Sequence, residues 1–125
     1  MSTLTDPTDL SSSLLKQLTD QTISSVSEQS TVLLYYNSTY SYSTWLLRIM
    51  EQLALLCNYQ KYQLDFSIID AYLYPSTVYH YTHVVPTLCL YIHGIPLVYT
   101  GRFTVGDIHL WLLSQIQQNC CPTTL

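Results

Sequence analysis

"VVPTLCLYIHGIPLVYTGRF", residues 84–103, holds two short apolar runs parted by a brief polar break. Residues 86–91 (PTLCLY) and 95–99 (IPLVY) have the composition of strands. Ile92-His93-Gly94 lies between them, and a His-Gly pair suits a tight turn. The expectation is an antiparallel hairpin closed off by Gly101. The period then changes. Val105, Ile108, Trp111, Leu112 and Ile116 recur at three and four, a helical stripe that runs out at Gln117-Gln118-Asn119.

Upstream, Thr31–Tyr36 (TVLLYY) is apolar almost throughout, as a strand covered on both faces should be. The loop that follows, residues 37–44, is built of hydroxyls and one amide. Trp45, Leu46, Ile49, Met50, Leu53, Leu56 and Cys57 then mark one wide helical face, with Ser43 or Thr44 able to cap its first turn. Residues 62–69 (YQLDFSII) alternate as a strand does. A tyrosine-rich connection over 70–83 contains Pro75 and room for one helical turn. Near the start, residues 14–18 form a short strand candidate, and Asp20 is a candidate N-cap for a brief helix over 21–27. The order is β-α-β-α-β-(short α)-β-β-α, an α/β domain over 14–118 with an N-terminal arm (1–13) and a C-terminal tail (119–125).

With 125 residues and 48% hydrophobic content, the chain makes one domain with a core of its own. Charged residues are only 10%, against roughly 25% in typical soluble domains. Lys16, Arg48, Lys61 and Arg102 are the whole basic complement, and the net charge is −4. No stripe of cations can neutralise a phosphate backbone, which sets nucleic-acid binding aside. Twelve tyrosines stand in for the missing charge. Tyrosine favours places where a ring is buried and its hydroxyl meets something polar, so the balance points to a surface covered by other protein subunits. A composition habit of the source lineage is the alternative.

Residues 1–13 show neither a basic start followed by an apolar core nor an Arg-rich presequence. The longest apolar run, 84–99, is broken by Pro86, His93, Gly94 and Pro96, which argues against membrane insertion. The expectation is an intracellular, cytoplasmic protein, with an organelle or the ER lumen as the alternative. Under that expectation the sequon Asn37-Ser38-Thr39 is inert. Cys57, Cys89, Cys120 and Cys121 include no Cys-x-x-Cys pair and no zinc-ribbon spacing. Cys57 and Cys89 fall at core positions, and Cys120-Cys121 could bridge to another chain. His80-x-x-His83 lacks a third ligand nearby, so no metal and no cofactor is expected.

The order of elements, with a proline opening the fourth strand, resembles the thioredoxin superfamily. Residues 17–26 (QLTDQTISSV) look like its "LT-x-x-x-F" opening, and Thr31–Tyr36 like its central strand. Val84-Val85-Pro86-Thr87-Leu88 matches its Pro-Thr segment, whose proline is cis in the family. Gly94 and Gly101-Arg102 match its hairpin, and residues 99–112 are most similar to protein disulfide isomerase modules. Where that resemblance implies Trp-Cys-x-x-Cys-Lys, this chain has Thr39-Tyr40-Ser41-Tyr42-Ser43-Thr44. Tyr40 takes the nucleophile position and Ser43 the resolving position, while Leu34 takes that of the buried acid.

Thiol–disulfide exchange needs a thiolate of lowered pKa and a second thiol to release the mixed disulfide. Neither thiol is in this loop, so no enzyme of that kind is expected. A Tyr or Ser hydroxyl beside a helix N-terminus also resembles glutathione transferases. Those carry a helical second domain and an acidic pair not evident here. The resemblance further implies that the backbone of Val85, before Pro86, can pair with a peptide, flanked here by Tyr40, Tyr42 and Tyr81. Pro86 could instead only shape the sheet corner. The reading is a non-catalytic, protein-binding subunit of a larger assembly. The alternatives are a peptide-binding chaperone module and a residual thiol or glutathione enzyme.

Overall fold

The computed structural model describes residues 14–59 and 62–120. The expectations for the N-terminal arm, for Lys61 and for Cys121 lie outside them. Five strands form one mixed sheet: β1 (Lys16–Gln17), β2 (Thr31–Tyr36), β3 (Asp65–Asp70), β4 (Thr87–Ile92) and β5 (Ile95–Val98). Their spatial order is β1-β3-β2-β4-β5. β3 runs parallel to β1 and β2, while β4 is antiparallel to both β2 and β5. Among the described residues the sheet is flanked by α1 (Ser43–Tyr59), α2 (Pro75–Tyr81) and α3 (Val105–Cys120), with a 3-10 turn over Ile23–Ser27.

Period-2 alternation divides the core between the two faces of the sheet. Val32, Leu34, Ile68, Leu88 and Leu90 pack with Leu46, Met50 and Leu53 of α1 and Ile108 and Leu112 of α3. Leu33, Tyr35, Ile69, Cys89 and Tyr91 face the other way, toward Val78 of α2 and Ile23 and Val26 of the 3-10 turn. Leucines such as Leu53 and Leu90 are fully buried, each contributing about 1.5–3 kcal/mol. β2 is buried along nearly its whole length because both layers cover it.

The hairpin forms as expected. His93 (φ 53°) and Gly94 (φ 78°) both take the left-handed conformation, the two-residue turn whose twist suits a hairpin, and Ile92 pairs with Ile95. Counting from that closing pair, Pro96 opposite Tyr91 occupies a position whose backbone nitrogen faces the free edge. With no N–H there, the edge strand cannot complete a ladder with another chain.

Four local expectations need correction. Asp20 does not cap the first turn: Thr19 does the local work, its hydroxyl accepting the Gln21 N–H at 3.1 Å and its carbonyl the Ile23 N–H at 3.0 Å. Ser43 is already the first residue of α1, and its hydroxyl donates back to the Ser38 carbonyl at 3.4 Å. Trp45 lies at the margin of the buried stripe and is 52% exposed. The third strand begins at Asp65 rather than 62, while Tyr62 and Leu64 pack against the core from the preceding segment.

Candidate functional site

Three chain segments meet at one end of the sheet. β2 ends beside Asp70, its parallel partner to Tyr36, and beside Thr87, opposite Tyr35. The loop into α1, the turn after β3 and residues 84–86 therefore share that end.

The loop is shaped by its own polar groups. The Asn37 side-chain oxygen accepts the Thr39 N–H at 2.9 Å and the Thr39 hydroxyl at 2.6 Å. The Tyr40 N–H returns to the Asn37 carbonyl, and the Ser43 N–H to the Tyr40 carbonyl, both at 3.1 Å. This winding leaves Tyr40 and Tyr42 side by side, ring centres 5.6 Å apart and edge to face, at 38% and 40% exposure. Trp45, Tyr72, Leu73 and Val84 are exposed on the neighbouring segments.

A carboxylate that sequence reasoning passed over holds this loop in place. Asp70 is buried, and its Oδ1 accepts the Ser38 N–H at 3.0 Å and the Tyr72 N–H at 2.9 Å. Burial, then the negative charge of Asp70, pushes the Tyr36 phenol above its usual range. The available signal was an acid closing an apolar strand next to a turn.

Val85 and Pro86 lie where expected, and the bond between them is cis. The Val84 carbonyl accepts the hydroxyls of Thr87 (2.5 Å) and Thr82 (3.0 Å), which fixes the approach to β4. Val85 turns its side chain into the core, and among the described residues its backbone N–H and carbonyl have no hydrogen-bond partner. Tyr81 is grouped differently. Its ring stacks on Tyr35 at 6.5 Å, over a buried bond of 2.5 Å between the Tyr35 and Tyr91 hydroxyls. Burial raises both of those phenols above their usual range. No ring contact among the described residues joins Tyr81 to Tyr40 and Tyr42.

The two described thiols lie away from this loop. Cys57 falls fourteen residues after Ser43, about 21 Å along α1 at the usual helical rise. Cys89 pairs with Leu33 within the sheet, on the face opposite Cys57. Burial pushes both thiols up to about 11, away from the range of a reactive thiolate. The expectation for Cys120 and Cys121 as a linking pair lies outside the described side chains. Leu34 sits wholly among apolar residues. Among the described residues no three His, Cys, Asp or Glu side chains converge as a metal site would need, and His80 lies edge-on to Tyr81. Nor does any described helix have the length and apolarity to cross a membrane.

No protein-family model matches the chain, and no curated protein matches it in sequence. Solved structures do match in shape. The zinc-bound form of human ERp44 superposes with a TM-score of 0.72 at 18% identity over 81% of this chain. Thioredoxin from Trypanosoma brucei brucei gives 0.67 at 18% identity, covering 82% of this chain and 91% of its own. This is the thioredoxin fold. The J-Trx1 fragment of ERdj5 shares it at a TM-score of 0.73, with 10% identity over 84% of this chain. The chain spans 30% of the ERp44 chain and 53% of the ERdj5 fragment. The thioredoxin-like order expected from sequence thus describes this α/β domain.

Proposed function

We propose that this thioredoxin-like protein acts by binding other protein subunits, as a non-catalytic member of a larger assembly. The observation that carries the reading is the loop itself. Tyr40 and Ser43 stand where the resemblance puts a dithiol, and the loop presents an exposed, packed tyrosine pair instead. An oxidoreductase of this fold needs a thiolate at a helix N-terminus and a second thiol within reach. Here the described thiols are buried on opposite sides of the sheet. Tyr40 and Tyr42 are suited to anchoring a contact, since tyrosine brings apolar area with a hydroxyl and few rotatable bonds. Under this reading no cofactor is required, and the place of work is inside the cell.

A second reading, transient capture of peptides in the manner of a chaperone, is favoured by the unpartnered backbone of Val85 beside Pro86, which offers an acceptor and a donor to an extended strand. The two differ in lifetime and stoichiometry. Purification from the native source in a thiol-blocking buffer, followed by sizing, separates them. A fixed, stoichiometric assembly that Tyr40→Ala or Tyr42→Ala dissolves supports the subunit reading. A monomer with varied peptide clients supports capture, and turnover with dithiothreitol or glutathione would overturn both.

A further inference from the structure

The carboxylate that braces the loop has capacity left over. Asp70 is 8% exposed. Both N–H groups that it receives, from Ser38 and Tyr72, go to Oδ1. Oδ2 accepts no hydrogen bond among the described residues. Asp70 lines a cavity of about 110 Å3 together with Gln17, Thr19, Tyr36, Leu73 and Tyr74. A buried carboxylate oxygen that receives no hydrogen bond is a place for a donor or counter-charge from outside. The chain's described cations do not supply one: Lys16 pairs with Asp65 at 2.7 Å and Arg102 with Asp107 at 3.4 Å, while Arg48 is exposed on α1.

The cavity's shape and chemistry select among cations. At roughly 30 Å3 per water it holds the equivalent of three or four waters, enough for a charged head and a short apolar stem. A guanidinium is best held by two carboxylate oxygens side by side, and Oδ1 is already filled by its two N–H donors. An ammonium is a compact point charge with three donors. One would meet Oδ2, and Tyr36 and Gln17, whose side chains carry acceptor oxygens, line the same space. Leu73 and Tyr74 also line it and bring apolar atoms suited to the methylenes.

We infer that this cavity binds a primary ammonium, the head of a lysine side chain presented by the partner protein. The source of the lysine rests on the binding role proposed above, whereas the affinity of the cavity for an ammonium does not. A net charge of −4 favours such a basic partner.

The test titrates n-butylammonium into the isotopically labelled full chain and follows the amide resonances of Ser38 and Tyr72. Both should shift together and saturate, while n-butanol, of the same length without charge, leaves them unmoved. Asp70→Asn keeps an oxygen for the two N–H donors and loses the charge, so ammonium binding should weaken at least about tenfold. Should that variant not fold, Tyr36→Phe removes one acceptor at a half-buried site and should weaken binding several-fold. No saturable shift, an equal response to n-butanol, or unchanged binding in the folded variants would overturn the inference. Ammonium binding by a protein that proves to be a free monomer would sink the subunit reading and leave the cavity's role standing.

Discussion

Replacing Tyr35 by phenylalanine isolates one buried interaction and gives it a number. The Tyr35 hydroxyl lies 2.5 Å from that of Tyr91, on rings that are 1% and 5% exposed. Tyr35→Phe preserves the ring, its stack with Tyr81 and nearly all its apolar area. What changes is that Tyr91 keeps a hydroxyl with its partner gone and little water to replace it. A stranded buried hydroxyl costs about 1–3 kcal/mol, more than the roughly 1 kcal/mol that the intact bond is worth net, so the single variant should lose about 2 kcal/mol. Tyr91→Phe should cost a similar amount for the same reason. The double variant removes both hydroxyls and strands neither, so its loss should be about 1 kcal/mol, well short of the sum. Urea denaturation of the four proteins, with unchanged m-values, measures the cycle. Losses that add to within about 0.5 kcal/mol would refute the paired arrangement.

Other outcomes follow from the surface and the thiols. Tyr40→Ala and Tyr42→Ala should each change unfolding stability by less than about 0.5 kcal/mol, because both rings are well exposed, yet each should release the bound partner on a sizing column. With Cys120 and Cys121 replaced by serine, Cys57 and Cys89 should react with a disulfide reagent only as fast as the chain unfolds. Their folded pKa values, pushed up to about 11 from 9.0, also set a pH dependence. The unfolded thiols lose protons first, so stability is intact below about pH 9 and falls as pH rises toward 11, by about 2–3 kcal/mol per thiol. Urea midpoints at pH 8 and pH 10.5 test this, and Cys89→Ala should flatten the fall. Pro96→Val restores an outward donor on β5 and should bring concentration-dependent self-association, visible by sedimentation, where the parent chain shows none through that edge.

What could be read in the sequence was what depends on near neighbours. The hairpin was legible because His93 and Gly94 are adjacent and sit between two β-rich runs, and the α1 and α3 stripes because burial repeats at the helical period. Caps were harder. Thr19, Asp20 and Thr22 all have an oxygen able to bond the first turn, and only the backbone path decides that Thr19 does so. Trp45 stands one position from Leu46, at the first turn of α1, where a residue can fall on either side of the buried margin. Asp70 escaped notice for another reason. Its role comes from the register of β2 against β3, which brings it to the Ser38 N–H across a separation of 32 residues. The positions of Tyr40 and Ser43 follow from their distance after β2 in the chain, but the edge-to-face packing of Tyr40 on Tyr42 depends on how the loop winds and is not written in their spacing.

Leu34 sets a limit on the chemistry that the neighbouring loop could support. It is 1% exposed, between α1 and the sheet, at the place where the thioredoxin resemblance would put an ionisable acid. An acid there would spend folding stability to keep a proton acceptor at hand, whereas leucine fills the same space with hydrocarbon. Leu46, Met50 and Leu53 share one buried cluster with that leucine, so a polar group there would be hard to accommodate. Two cysteines could be placed in the loop by surface substitutions that cost little. The third change would have to place a carboxyl group in a packed interior, so substitutions in this chain can alter what the loop presents at the surface far more easily than they can supply a buried proton acceptor.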